Sequence, residues 1–166
     1  MNQDITERDM SFISFIFDNA FYIEKSQLYL RVCNSGIRTV EFIRLKDNKL
    51  FFVEAKSTFA DPKNSSEKFR IEVKEICEKF THSLNLFSSV KAGVTKFCFP
   101  CDFILPEEVS LVFLLVIKNH ERDWCEEKRD ALIAALPSYL KKIWKPKVNV
   151  INEKDAVKFG IATFSA

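Results

Sequence analysis

The chain is poor in glycine and proline, has no regular cysteine pattern, no long apolar run and almost no net charge. Three Gly and five Pro in 166 residues leave little material for a turn-dense or loop-rich architecture. Five Cys, an odd number at irregular spacing, do not form a disulfide framework. The longest apolar stretch, Leu111 to Ile117, is far too short to span a bilayer. The segment from Met1 to Asp9 lacks the basic-then-apolar pattern of a secretory signal. Together these features predict a cytoplasmic protein without membrane association. A formal charge of +2 provides no general basic field, so any contact with nucleic acid has to be local.

Hydrophobic residues, by contrast, make up 47% of the chain, and 17 residues are Phe. That composition and length predict a globular chain with a full core, organised as one domain over residues 1–166. No internal repeat or low-complexity tract interrupts it.

Hydrophobic periodicity places most elements. Ser11 to Ile23, dense in aromatic and β-branched residues, reads either as strand pieces turning at Asp18-Asn19 or as a buried helix. A first core strand is expected somewhere within 11–33. Glu24 to Cys33 predicts a short helix stopped by Asn34-Ser35-Gly36. Phe69, Val73, Ile76, Phe80, Leu84 and Phe87 are spaced 4, 3, 4, 4 and 3. This is the stripe of a long amphipathic helix, with Asn64 and Glu67 as a capping arrangement at its start. Ser110 to Lys118 is continuously apolar, as in a strand covered on both faces. A helix from Glu121 to about Trp144 follows, with Leu132, Leu136, Tyr139, Leu140 and Ile143 as its later stripe and Pro137 kinking or dividing it. Val148 to Ile151 is a final short strand, and 155–159 add a helical turn. The strand–helix–strand unit implies parallel pairing, hence an α/β fold: a mixed β-sheet flanked by helices.

Two clusters invite a ligand reading. Cys98 and Cys101 form a Cys-x-x-Cys pair, but zinc needs a second pair, and none exists. Buried free thiols are therefore expected there. Lys141, Lys142, Lys145 and Lys147 surround Trp144, a pattern that suits a phosphate backbone with stacking; cations at a helix C-terminus account for it equally well.

The chain's chemistry concentrates in a hairpin. Arg38 to Leu45 and Leu50 to Ser57 are both rich in β-branched and aromatic residues, and Asp47-Asn48 supplies a turn that tolerates positive φ. That turn predicts Leu45 opposite Leu50, Ile43 opposite Phe52, Glu41 opposite Glu54 and Thr39 opposite Lys56. Two carboxylates and a lysine then converge beside an apolar floor. Opposed like charges destabilise a sheet, so a divalent cation with oxygen ligands is the natural neutraliser.

An acid on one strand followed by Glu-x-Lys on the next, here Glu41 and Glu54-Ala55-Lys56, resembles the PD-(D/E)xK nuclease superfamily. Val40 and Glu41 depart from the Pro-Asp of its name. The helix–strands–helix–strand order over roughly residues 20–120 also resembles its restriction-endonuclease-like core. The resemblance implies a Mg²⁺- or Mn²⁺-dependent phosphodiester hydrolase acting on nucleic acid, DNA or RNA. Glu41, Glu54 and the Ala55 backbone carbonyl would be metal ligands, with Glu24 as an added acid. Lys56 would orient or help deprotonate the attacking water, and Lys79 or Ser83 of the long helix would contact nucleic acid. The alternative is a non-catalytic binding or assembly module on the same fold.

Overall fold

The structure, a computed structural model, describes residues 5–7, 10–12, 20–99 and 103–164, with backbone alone for 5–7, 10–12 and 162–164. Its centre is a five-stranded mixed sheet in the order β3 (Ala20–Phe21), β4 (Phe42–Lys46), β5 (Lys49–Lys56), β6 (Ser110–Ile117), β7 (Lys147–Asn152). β3, β4 and β5 pair antiparallel, whereas β5, β6 and β7 run parallel. Helices α2 (Ser66–Lys91) and α3 (Arg122–Ala135) make the two parallel crossovers. α1 (Gln27–Leu30) follows β3, and α4 (Glu153–Lys158) follows β7. β1 (Ile5–Glu7), β2 (Met10–Phe12) and β8 (Ala162–Phe164) form a small antiparallel sheet that the hydrophobic pattern does not disclose.

Period-two alternation explains how both faces are covered. Leu50 and Phe52 of β5, with Leu111, Phe113, Leu115 and Ile117 of β6, join the larger apolar cluster under α2 and α3. Val53 and Ala55, with Leu114 and Val116, join the smaller cluster containing Ala156 of α4. The spacing expected for α2 is the one observed: Val73, Ile76, Phe80, Leu84 and Phe87 are buried. Phe80 stacks on Phe113 at 4.5 Å and 4°, and Phe52 meets Phe87 and Phe113 edge-on. Such pairs each contribute about 0.5–1.5 kcal/mol beyond area burial.

Several boundaries differ from expectation, each for a local reason. β3 is the first strand of the large sheet; it and β2 account for part of the 11–23 segment, while 13–19 lie outside the described residues. α1 is only one turn, capped by Ser26, and Gly36 in the left-handed region (φ 73°) closes the 3₁₀ turn after it. Glu24 therefore precedes the helix. Ser65, not Asn64, occupies the N-cap of α2, because Asn64 instead bonds back to Asp61. Pro137 ends α3, and Leu140–Trp144 form a separate π-helical turn closed by Lys145 at φ 47°. The break turns Tyr139 and Ile143 outward, so the stripe keeps only Leu132, Leu136 and Leu140 in the core. Cys98 is exposed, against the expected burial, and Cys101 lies outside the described residues. Among the described residues no helix is long and apolar enough to cross a membrane.

The hairpin turn has the expected geometry. Lys46 pairs with Lys49, and Asp47 (φ 49°) and Asn48 (φ 58°) are both left-handed, as a two-residue turn matching strand twist requires. Left-handed backbone costs an ordinary residue about 1–2 kcal/mol, and Asn less. Asn48→Val should accordingly lower stability by about that amount in urea unfolding, whereas Asn48→Gly should hold or raise it. Equal stability of the two variants would show that the turn relaxes to another conformation.

Candidate active site

The far end of the hairpin departs from the simple ladder. Phe42 is paired with Val53, yet the Glu41 N–H also donates to the Val53 carbonyl at 3.0 Å. Two residues thus oppose one, the signature of a β-bulge. Glu41 is consequently not the ladder partner of Glu54, nor Thr39 of Lys56, and the expected register holds only from Phe42 to the turn. Side chains of α2 hold the incoming segment. Ser83 Oγ accepts from the Val40 N–H at 2.9 Å, His82 Nδ1 accepts from the Arg38 N–H at 3.1 Å, and Arg38 pairs with Glu75 at 2.8 Å.

Glu24 arrives from the other side. Its N–H donates to the Glu41 carbonyl at 3.4 Å, extending the β3–β4 pairing past the last ladder residues. Ser26 pins this segment by donating to the Ile23 carbonyl at 2.6 Å and accepting from the Tyr29 N–H at 3.2 Å. Three neighbouring segments therefore deliver Glu24, Glu41 and Glu54 to the same end of the sheet. Glu41 is 1% exposed and Glu54 2%; Glu24 is half-buried.

Glu54 is held by α2. Lys79 Nζ donates to its Oε1 at 2.7 Å, while Oε2 is buried with no hydrogen-bond partner among the described residues. Burial pushes the Glu54 carboxyl up to about 7; Lys79 opposes the rise, Glu24 adds to it and Lys56 opposes it weakly. Burial would lower the Lys79 ammonium, but the charge and hydrogen bond of Glu54, with the charges of Glu41 and Glu24, outweigh it and hold the lysine above its ordinary value. Lys79 is thus turned inward onto the acids, and Ser83 is wholly enclosed by its role in holding Val40. In this arrangement the Lys79 ammonium is engaged by Glu54 and the Ser83 hydroxyl by the Val40 N–H.

Lys56, two residues beyond Glu54, lies on the same α2-facing side of β5. Its ammonium is 3.9 Å from Glu72 Oε1 and 5.4 Å from the centre of the Phe59 ring. Glu72 Oε2 accepts from the Ala60 N–H at 2.7 Å, which orients the carboxylate towards this corner. Glu72 escaped the sequence reading, although a signal was present. Glu72 and Lys79 stand two helical turns apart on α2, as Lys56 and Glu54 stand two residues apart on β5, and the two pairs match by opposite charge. Lys128 of α3 is also buried here, donating to the Trp124 carbonyl at 3.3 Å with its ammonium 5.9 Å from the Phe59 ring centre. No periodicity argument anticipates a buried lysine.

The donor set suits a hard divalent cation: carboxylates throughout, with Oε2 of Glu54 buried and without a hydrogen bond among the described residues. Strand geometry also supports the Ala55 carbonyl. The Val53 carbonyl points to the β4 side, where it accepts from Glu41, and the Lys56 carbonyl points to β6, where it accepts from Lys118 at 2.9 Å. Alternation directs the Ala55 carbonyl to the β4 side, towards the Glu41 segment. As the side chains stand, no three His, Cys, Asp or Glu groups among the described residues close on one point.

The raised Glu54 carboxyl has a consequence for stability. A carboxyl that titrates near 7 when folded and near its ordinary 4.5 when unfolded binds its proton more tightly in the fold. Its contribution is complete below 4.5 and is lost as pH rises through about 7. Between pH 5 and 8 the wild type should therefore lose, relative to Glu54→Gln, on the order of 2–3 kcal/mol in urea unfolding. A difference that does not change with pH would mean that Glu54 stays ionised throughout.

Compared with known protein families, curated proteins and solved structures, the chain matches none.

Proposed function

We propose that this chain is a metal-dependent phosphodiester hydrolase acting on nucleic acid, with a restriction-endonuclease-like core of the PD-(D/E)xK kind. The observation that carries the reading is the meeting of Glu24, Glu41 and Glu54 at one end of the sheet, with Lys56 two residues beyond Glu54 on the same side of β5. The order α1, β4, β5, α2, β6 supports it, being the helix–strands–helix–strand arrangement that the resemblance implies. A cytoplasmic setting belongs to the same reading.

Glu41, Glu54 and the Ala55 carbonyl would hold Mg²⁺ or Mn²⁺, with Glu24 as a further acid. The bound ion supplies Lewis acidity and a more acidic water. The protein's own groups do the positioning. Burial of Glu41 and Glu54 excludes bulk water and strengthens their electrostatic action. Glu72 and the Phe59 ring fix where the Lys56 ammonium points, so that it can steady an attacking water and the charge that develops on phosphoryl oxygens.

A second reading, a non-catalytic binding or assembly module, is favoured by one observation. The Lys79 ammonium already neutralises Glu54, as a purely structural ion pair would.

Nicking of plasmid and degradation of single-stranded DNA and RNA, each with Mg²⁺ and with Mn²⁺, separate the two. Under the nuclease reading the wild type cuts at least one substrate. Loss of one electrostatic stabiliser costs about 10²–10³ in rate, so Lys56→Ala should lose that much activity while its stability changes by no more than about 1 kcal/mol. Saturating Mn²⁺ should raise the melting temperature of the wild type and not that of Glu41→Ala. Cleavage that persists in Lys56→Ala points to a contaminant and removes the assignment. A wild type that cuts nothing and gains no stability from Mn²⁺ leaves the module.

A further inference from the structure

The proposed function assigns the acidic cluster to a divalent cation, yet α2 already brings a cation to it. Lys79 Nζ lies 2.7 Å from Glu54 Oε1. It feels the charges of Glu54, Glu41 and Glu24, the same carboxylates that the metal reading invokes. The side chain is largely but not wholly enclosed, 18% exposed against 2% for that of Glu54.

We infer that Lys79 is a built-in counter-cation. It offsets part of the charge of the acidic cluster in the protein without metal and has to leave Glu54 before a divalent ion binds, so it sets the metal affinity of the site. This rests on the metal-dependent reading above and goes beyond it by naming the residue that competes with the ion.

The physics is that of one cluster and two positive charges. An ammonium and a divalent ion cannot both sit within hydrogen-bond distance of one buried carboxylate without strong repulsion in a weakly screened site. Lysine suits such a task. It is a compact charge on a flexible four-carbon stem and makes no bidentate lock on its partner, as arginine would. The half-satisfied state of Glu54, with Oε1 engaged and Oε2 buried without a hydrogen bond, is that of a carboxylate neutralised but not saturated by its partner. A merely structural salt bridge predicts the reverse effect: removing Lys79 would leave Glu54 misplaced and weaken metal binding.

The test is Mn²⁺ affinity by equilibrium dialysis, with the Mn²⁺-induced rise in melting temperature as a second readout. It compares the wild type with Lys79→Met and Lys79→Gln; the latter keeps a hydrogen-bond donor but no charge. Both neutral variants should bind Mn²⁺ at least about tenfold tighter than the wild type and gain more thermal stability from it. If Lys79→Met folds only when Mn²⁺ is added, that recovery of circular dichroism supports the inference, and Lys79→Gln supplies the affinity. Lys74→Met, which removes an exposed α2 lysine paired with Glu78 at 3.8 Å, should change the affinity less than about twofold. An equal gain in Lys74→Met would reduce the effect to general charge and overturn the inference. Wild-type binding with equal or weaker affinity in both neutral variants overturns it too, leaving the metal reading in place. Absence of Mn²⁺ binding in all of them overturns both.

Discussion

The side of β5 that packs against α2 changes character halfway along, and α2 has to match it. Leu50 and Phe52 are apolar and meet Leu84, Phe80 and Phe87. Glu54 and Lys56 continue the same side as charges and meet Lys79 and Glu72. A strand side with period two and a helix stripe with period near 3.6 can stay in step over such a length only if the helix runs opposite to the strand and switches from apolar to charged at the same level. That single matching condition fixes where α2 lies on the sheet. It also decides which of its polar residues face inward and carries Ser83 to the segment that leads into Glu41.

Burying the Glu54 carboxylate is what makes the match demanding. An enclosed charge is tolerated when paired, and removing one partner of such a pair costs roughly 3–5 kcal/mol, because the other is left uncompensated. Lys79 meets this requirement through one oxygen only, and burial still holds the Glu54 carboxyl above its ordinary range. Acids from three separate segments in one enclosed corner are costly for stability alone. Such an arrangement is where perturbed ionisation and function tend to coincide.

The bulge at Glu41 has a similar logic. A regular ladder would set Glu41 directly across from Glu54, the pairing that repulsion between like charges disfavours. One extra residue opposite Val53 takes Glu41 out of the ladder, and its carbonyl then receives the Glu24 N–H. The irregularity thereby joins the third acidic segment to the other two.

By itself the sequence determined the elements whose information is local. The period-two and near-3.6 patterns defined β5, β6 and the stripe of α2; the Asp47-Asn48 turn pinned the register from Leu45–Leu50 to Ile43–Phe52; and Glu54-Ala55-Lys56 marked where charge enters the α2-facing side of β5. What only the tertiary structure decided depends on residues far apart in the chain. Lys79 turns inward because a buried carboxylate 25 residues away needs a cation, and Ser83 is consumed by a backbone N–H 43 residues away. Glu72 becomes the partner of Lys56, and Lys128 is drawn beneath α3. The bulge, too, becomes visible only where the two strands pair. Periodicity reports which side of an element faces the core. The pairing of charges inside that core is settled only when the elements meet, since the cost of burying an ion depends on what arrives beside it.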